Sequence, residues 1–551
     1  MTTDLFTSFK QATNSYSLPK NFTFPFYYQP HPLSLLAAKE LQHHLETQTD
    51  WQHDFNKIGK MFGVLLVQNK QGELGYLAGF SGKIANTNHL PNFVPPVFDM
   101  LAEDSFFIQG QVKLNQLTVQ IKLLENKPEL VQLQQNLAEQ ISQSQQQIST
   151  HRQMMIEGRR TRKINRNKAE QSLVQDDFLQ VKQQLGKESV QQKQQLRYLN
   201  NHWKQKIQHA EQKLTLLSGE ITKLKEQRKN ISVKLQQTLF EHYRFLNIQG
   251  EEKDLYDIFK DTDQKTPPAG AGECAAPKLL NYAFQNQLKP IAMAEFWWGK
   301  SPKSAIRQHQ NFYPACRGKC KPILEHMLTG IELDENPLLN NPAEGKTLET
   351  IYEDDVMLLI NKPAEFLSVP GKNIEDSVYL RIKQAYPEAT GPLIVHRLDM
   401  STSGLMVIAL NKEVHKILQK QFIQRTVKKR YIALLDGIVK EDKGTIDLPL
   451  RVDLDDRPRQ LVCYEHGKSA KTNWQVIVRK NNRTKVYFQP ITGRTHQLRV
   501  HAAHILGLNM PIVGDDLYGR TAQRLHLHAE TLELHHPINH ELMTFQIDAD
   551  F

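Results

Sequence analysis

The sequence predicts an α+β protein: a C-terminal domain built on a mixed, mainly antiparallel sheet with flanking helices, preceded by a small mixed α/β domain that carries a long helical hairpin. Three observations carry that prediction. Short apolar runs separated by turn residues fill residues 346–551, with connections too short for parallel crossovers. A seam of apolar residues spaced alternately by four and three runs from Trp203 to Leu235. Strand-like text stands on both sides of that seam, in GKMFGVLLVQNKQGELGYLAGFSGKI (59–84) and LKPIAMAEFWWG (288–299).

The 551 residues exceed one ordinary domain, and roughly three units are expected. Residues 59–84 read strand, polar turn, strand, with Val64–Val67 and Leu74–Phe80 as the apolar runs. The proline-rich PNFVPPVFDML that follows closes a first segment, 1–110, of a mixed domain.

The next segment, 111–240, is rich in glutamine. Trp203, Ile207, Ala210, Leu214, Leu217, Ile221, Leu224, Arg228, Ile231 and Leu235 form the seam, broken only by Arg228, which is a coiled-coil pattern. Leu130, Leu137, Ile141, Ser144, Ile148, His151 and Met155 keep the same period in an earlier arm. Between them lies EGRRTRKINRNK (157–168), read as the turn of an antiparallel hairpin, with a third helix near 169–196. The chain carries a net charge of +10, and residues 151–240 alone hold 19 basic against 8 acidic residues. The polyanion-attracting surface is therefore central. Such a charge run is either a solvated helix face or a contact for nucleic-acid phosphates.

Residues 241–345 return to a globular pattern, so the hairpin reads as an insertion into one N-terminal domain. Three of the four cysteines, Cys274, Cys316 and Cys320, lie here. With His309 or His326 they could form a tetrahedral zinc site, but a C-x3-C pair with a distant third cysteine matches free thiols equally well. ELDENPLLNNPAEGK (332–346) is the expected linker. So few cysteines argue for a reducing compartment. The N-terminus lacks the basic-then-apolar pattern of a signal peptide, and no apolar run reaches about 18 residues. A cytoplasmic protein without membrane contact is expected.

In 346–551, strands are expected at Val356–Asn361, Leu405–Leu410, Tyr431–Asp436, Trp474–Val478 and Lys485–Pro490, and a helix at Lys412–Gln424. Polar residues crowd beside these strands in HRLDMSTSG (396–404), KKRY (428–431) and ITGRTHQLRVHAAH (491–504). A lone carboxylate such as Asp399 is most often a cap or half of an ion pair. Arg397, Arg494 and Arg499 change that reading, because a carboxylate beside a permanent cation stays ionised and suits nucleophilic attack rather than proton donation. No second acid in a neighbouring motif supports a glycosidase, and no phosphate-binding glycine motif is present. His496, His501 and His504, or His526 and His528, lack the acidic partners of a metal-dependent hydrolase and read as packing and hydrogen-bonding groups.

HRLDMSTSG resembles the HRLDxxTSG signature of the RluA-type pseudouridine synthases. NKPAEFLSVPG (361–371), KKRYIALLDG (428–437), RPRQLVCYEHGKSAKT (457–472), PITGRTHQLRVHAAHILG (490–507), IVGDDLYG (512–519) and MTFQIDADF (543–551) agree with it in order. The resemblance is nearest to the branch of the family that modifies both 23S ribosomal RNA and tRNA. It covers 347–551; the first 346 residues have no counterpart there.

The resemblance implies isomerisation of a uridine within RNA, with no metal or redox cofactor. It assigns Asp399 as the catalytic aspartate, Arg494 as its ion-pair partner, and Tyr431 as the residue that stacks on the base and assists loss of the C5 proton. Arg397 is expected to fill the space left by a flipped nucleotide, Ile491 to wall the uracil pocket, and Lys362 and Arg499 to touch phosphates. The partner is ribosomal RNA or a tRNA stem-loop, with self-association through the coiled coil as a further expectation. A non-catalytic RNA-binding or ribosome-assembly protein on the same scaffold is the alternative.

Overall fold

The computed structural model describes residues 5–303, 305–454 and 456–551. The chain forms two compact units, one of Met1–Asp99 with Phe240–Phe551 and one of Met100–Leu239.

The first unit begins with β1 (Thr7–Ser8), α1 (Pro32–Thr47), β2 (Lys60–Gln68) and β3 (Leu74–Phe80). The second is helical: α2 (Phe106–Glu125), α3 (Pro128–Ser172) and α4 (Gln175–His242), whose last residues return to the first unit. Then come β4 (Arg244–Leu246), β5 (Glu252–Asp254), α5 (Leu255–Phe259), α6 (Ala275–Gln285), β6 (Lys289–Trp298) and α7 (Lys321–Met327). Strand β6 pairs with β2 from the far side of the helical segment, giving the antiparallel order β1-β3-β2-β6. Phe62, Phe80, Phe93 and Phe296 pack one face of this sheet against α1.

Within the helical unit α4 runs antiparallel to α2 and α3: Thr118 meets Arg228, and Gln147 meets Trp203. The covered positions belong to the apolar seam, with Trp203, Ala210 and Ile221 buried against a face that includes Leu130, Ser144 and His151. Arg228, which interrupts the seam, donates to the Thr118 hydroxyl at 2.9 Å.

Two expectations fail here. EGRRTRKINRNK is not a turn; it lies wholly inside α3, and the chain reverses at Leu173 and Val174. Gly158 is tolerated because a helix-interior glycine costs only about 1 kcal/mol and its neighbours are strong helix formers. The third helix is α2, before the hairpin, rather than a segment near 169–196. Asp176 and Asp177 open α4, where acids favour a helix N-terminus.

The rest of the first unit carries β7 (Glu349–Glu353), β8 (Met357–Lys362), α8 (Val378–Ala385), β9 (Ser403–Ala409), α9 (Lys412–Gln424), β10 (Lys428–Leu435), β11 (Lys443–Asp447), β12 (Leu450–Val452) and β13 (Gln460–Val462). It ends with β14 (Lys471–Lys480), β15 (Arg483–Pro490), α10 (Gln497–Ala503), β16 (Leu527–His535) and β17 (Leu542–Gln546). One sheet takes the order β11-β14-β15-β10-β16-β9-β8-β7, with β17 beside β16. Its pairs are antiparallel except β9 with β16. Being central, β9 is buried along its whole length, which explains the unbroken apolar text SGLMVIA. Gly404 allows the parallel pairing: its φ is +112°, and a Cβ there would stand 2.4 Å from the Ala529 carbonyl oxygen.

The expected linker is not a free tether. Phe22 exchanges backbone hydrogen bonds with Glu332 and Asp334, and Arg381 donates to the carbonyls of Ala343 and Lys346. The N-terminal sheet region and the C-terminal sheet region are joined directly as well. Arg307 meets Asp456 at 3.2 Å, Gln308 donates to the Ala503 carbonyl, and Asn311 donates to that of Gly519.

The expected histidine roles agree with these contacts. His501, fully buried on α10, hydrogen-bonds the Thr472 hydroxyl through Nδ1 and the Leu448 carbonyl through Nε2. His504 contacts the Lys303 carbonyl, His496 the Tyr518 hydroxyl, His526 the carbonyls of Val513 and Arg524, and His528 the Ser403 hydroxyl and Ile547 carbonyl. Burial pulls His501 down to about 4. The unfolded chain, titrating near 6.5, therefore binds more protons between these values. The stability from neutral His501 is complete above about 6.5 and is lost as pH falls toward 4, amounting to at most about 3 kcal/mol. Urea midpoints at pH 7 and pH 5 should fall more steeply for the wild type than for His501→Gln; parallel falls would remove His501 from the acid response.

Candidate active site

The site begins with a short peptide held on both sides. Lys362 ends β8 with its ammonium buried, and Nζ donates to the carbonyls of Pro363 (2.9 Å), Phe366 (2.7 Å) and Met400 (3.0 Å). The Phe366 N–H also donates to Met400. Ser368 bonds Leu398 reciprocally: its hydroxyl donates to the carbonyl at 2.7 Å and accepts from the N–H at 3.2 Å. The Asp399 carbonyl accepts from the Thr402 N–H. The backbone on either side of Asp399 is thereby fixed before β9 begins.

Lys362 is thus an internal positioning group and not the phosphate contact expected of it. Burial pulls its ammonium down to about 7, with Glu365 and Asp399 opposing that shift. Three carbonyl acceptors match the three N–H bonds of the protonated form.

Asp399 lines a cleft of about 1460 Å³ together with Arg397, Tyr431, Ile491 and Arg494. Arg397, Ile491 and Arg494 are exposed at the cleft. Tyr431 reaches it from β10, where a bulge falls between Arg430 and Tyr431 beside β16. The ring packs against two hydrophobic clusters, one containing Ala433 and Phe488 and the other Met406 and Ala529. Burial, then the Asp399 charge, pushes the Tyr431 phenol well above its ordinary range. The ring and hydroxyl of Tyr431 line the cleft.

The expected pair between Asp399 and Arg494 is not formed. Arg494 Nε donates to the Ser469 carbonyl at 3.0 Å, and among the described residues no ion pair joins it to Asp399. Its backbone is set by Gln497, whose Oε1 accepts from the Arg494 N–H and the Thr492 hydroxyl while Nε2 donates to the Lys471 carbonyl. Besides Lys362, a second buried cation in the field of Asp399 is Arg499, which is therefore not a phosphate contact either.

Arg499 projects from α10 into the loop after Ile512. Nε and Nη2 grip both Asp515 oxygens at 2.9 and 2.5 Å, and Nη2 meets Asp516 at 2.8 Å. Burial opposes the charge on Arg499, but Asp515 and Asp516 hold it well above its ordinary value. Burial likewise opposes ionisation of Asp515, and Arg499 more than offsets it, so the carboxyl stays low. Asp515 also accepts the N–H groups of Leu517 and Tyr518, so one carboxylate shapes the loop and orients the guanidinium. Tyr27, from the N-terminal region, donates to Asp516 at 3.2 Å.

Asp515, Asp516 and Ser368 went unassigned in the sequence. The adjacent acids of VGDDLYG were the available signal, since a buried arginine requires such a partner. The single group of metal-ligand side chains among the described residues is Cys274, Cys316 and Cys320, away from this cleft. Neither His309 nor His326 belongs to it. His309 Nδ1 accepts from Gly299, and His326 Nε2 contacts the Phe245 carbonyl.

Replacing Arg499 by Leu, or Asp515 by Asn, should each cost roughly 3–5 kcal/mol in urea unfolding by stranding a buried charge or its partner. Arg494→Ala should stay within about 0.5 kcal/mol of wild type, as an exposed residue. The reverse order would favour a buried Asp399–Arg494 pair instead.

The same region carries the likeness to known proteins. Residues 356–504 match the model of the RNA pseudouridylate synthase family. The Dual-specificity RNA pseudouridine synthase RluA of Escherichia coli O6:H1 (strain CFT073) is 45% identical over 219 residues, covering 38% of this chain and 97% of that protein. The protein of the same name from Haemophilus ducreyi (strain 35000HP) is 46% identical over 222 residues, with the same shares. Among solved structures, Human RNA Pseudouridylate Synthase Domain Containing 1 shows 28% identity, a TM-score of 0.32, and coverage of 37% of this chain and 85% of that one. With nearly the full length of the RluA proteins matched at this identity, the chain belongs to the RluA-type pseudouridine synthase family, enzymes that isomerise uridine to pseudouridine.

Proposed function

We propose that residues 346–551 convert a specific uridine in ribosomal RNA or a tRNA stem-loop to pseudouridine by an aspartate-dependent, base-flipping route, and that the preceding residues help hold the RNA. One observation carries the reading: Asp399 and Tyr431 line a single cleft, with their backbones fixed and the phenol in the field of the carboxylate. At about 1460 Å³ the cleft exceeds the roughly 300–1,000 Å³ of a small-molecule pocket. That size suits a flipped nucleotide with its flanking backbone.

In this reading the Asp399 carboxylate starts the reaction at the ribose, by attack on C1′ or by initiating glycal formation. The N1–C1′ bond breaks and releases the uracil anion, which turns while stacked on Tyr431. C5 then bonds to C1′ as the Asp399–C1′ bond breaks or the glycal regains its C2′ proton, and the C5 proton passes to solvent while N1 takes one up. Arg499 adds a buried positive charge in the field of Asp399. Ile491 walls the base, and Arg397 enters the duplex space the nucleotide leaves, where a planar guanidinium both stacks and hydrogen-bonds. Flipping costs least for an unpaired base, so a loop uridine is the target. Arg425 and Arg494, exposed at the cleft, supply positive charge for the phosphates. The chemistry needs no metal or redox group.

The helical unit adds a second phosphate surface. Arg159, Arg160, Lys163, Arg166 and Lys168 on α3 are exposed, and among the described residues no carboxylate pairs with them. The antiparallel α3–α4 contact is a coiled coil that carries these cations, and its seam is occupied within the chain, which leaves only the outer helix faces for self-association. Among the described residues no helix is long and apolar enough to cross a membrane; a cytoplasmic location fits an RNA substrate.

Purified full-length protein should form pseudouridine in a stem-loop RNA, read by mass spectrometry. Asp399→Ala should abolish product while changing RNA affinity less than about twofold; product from that variant would refute the aspartate mechanism. Changing the five α3 cations to Gln should flatten the salt dependence of binding, by about 0.7–0.9 in log–log slope for each phosphate no longer neutralised. An unchanged slope would make the basic face solvated only.

A further inference from the structure

Three cysteines converge in the N-terminal region. Cys274 precedes α6, while Cys316 and Cys320 close the loop that leads into α7. Folding brings Cys274 and the later pair, separated by more than 40 residues in sequence, so close that all three Sγ atoms lie within 4.8 Å of one another. Cys316 and Cys320 stand 3.5 Å apart, and Cys320 is buried.

We propose that Cys274, Cys316 and Cys320 bind one zinc ion, a site separate from the uridine-modifying cleft and independent of how that cleft is read. Zn–S bonds of about 2.3 Å place tetrahedral sulfurs about 3.8 Å apart, which is the spacing approached here. That spacing leaves room for one ion and none for an iron–sulfur cluster with its own sulfides. Thiolate softness and tetrahedral geometry select zinc among the common divalent ions. Binding displaces the three thiol protons to solvent. Glu295, buried on β6, accepts the Ala276 N–H through Oε1 and lies outside the three-sulfur group, so the fourth position is left to a water or hydroxide. A Cys316–Cys320 disulfide, the competing use of the pair, gives the convergent Cys274 no role.

The ion would tie α6 to the loop before α7. That loop follows directly on Arg307, Gln308 and Asn311, which dock on Asp456, Ala503 and Gly519 of the catalytic sheet region. Zinc therefore acts as a staple at the root of the docking segment.

The test is metal analysis of full-length protein purified under reducing conditions and reconstituted with Zn²⁺. One zinc per chain is expected, kept in Cys463→Ser and lost in Cys274→Ser and Cys320→Ser. Cobalt(II) in place of zinc should give the near-ultraviolet thiolate charge-transfer bands of a sulfur-rich tetrahedral site. On the wild type alone, which avoids any folding defect of the variants, Zn²⁺ should slow alkylation of these three thiols at least tenfold and leave Cys463 unaffected. Zinc content no higher than in the triple serine variant, alkylation rates unmoved by Zn²⁺, or a Cys316–Cys320 disulfide in freshly purified protein would each overturn the proposal.

Discussion

Everything at the cleft depends on the buried ammonium of Lys362 and the three carbonyls it holds. A charged group is costly to bury, and it is retained here because each N–H bond finds an acceptor. Those acceptors belong to the turn after β8 and to Met400, one residue beyond Asp399. With Ser368 bonded to Leu398 on the other side, the carboxylate is carried by backbone with little freedom to move. Preorganisation of this kind lowers the barrier because no reorganisation is required when charge develops.

A second buried charge set shares the field of Asp399 with the first. Arg499 is locked by Asp515 and Asp516, and Asp515 is in turn fixed by the loop it caps. Replacing such a pair by apolar groups often costs a fold little stability, so stability is a weak reason to keep it. Its electrostatic reach to Asp399 gives it a functional one. It fixes the Arg499 guanidinium within the field of Asp399, and Tyr27 extends the network into the N-terminal region. The N-terminal sheet region therefore does more than flank the catalytic region: it touches the loop that orients Arg499.

Much of the fold was legible in the sequence because periodicity reports burial. The apolar runs located β3, β9 and β15, the bounds of α9 were read directly as Lys412–Gln424, and the heptad seam named the residues that α4 covers. Charge type carried no such information. Arg494 and Arg499 lie five residues apart in one motif, and only packing reveals that the second is buried beside Asp399 while the first is exposed. Lys362 was misread for the same reason: an internal ammonium and a phosphate-binding one are identical as letters. The helical turn at Leu173 was obscured by Gly158, a conspicuous residue that the helix absorbs. Cys274 and the C-x3-C pair were visible singly, and their convergence follows from α6 and β6 packing together.

The central claim is that Asp399, held in this frame, modifies a uridine in cellular RNA. The direct measurement is a single-nucleotide pseudouridine map of total RNA from cells with the gene deleted, then complemented with wild-type or Asp399→Ala protein. The account predicts at least one site that disappears on deletion, returns with the wild type, and stays absent with the variant. A map unchanged by deletion, or restored by Asp399→Ala, would contradict it.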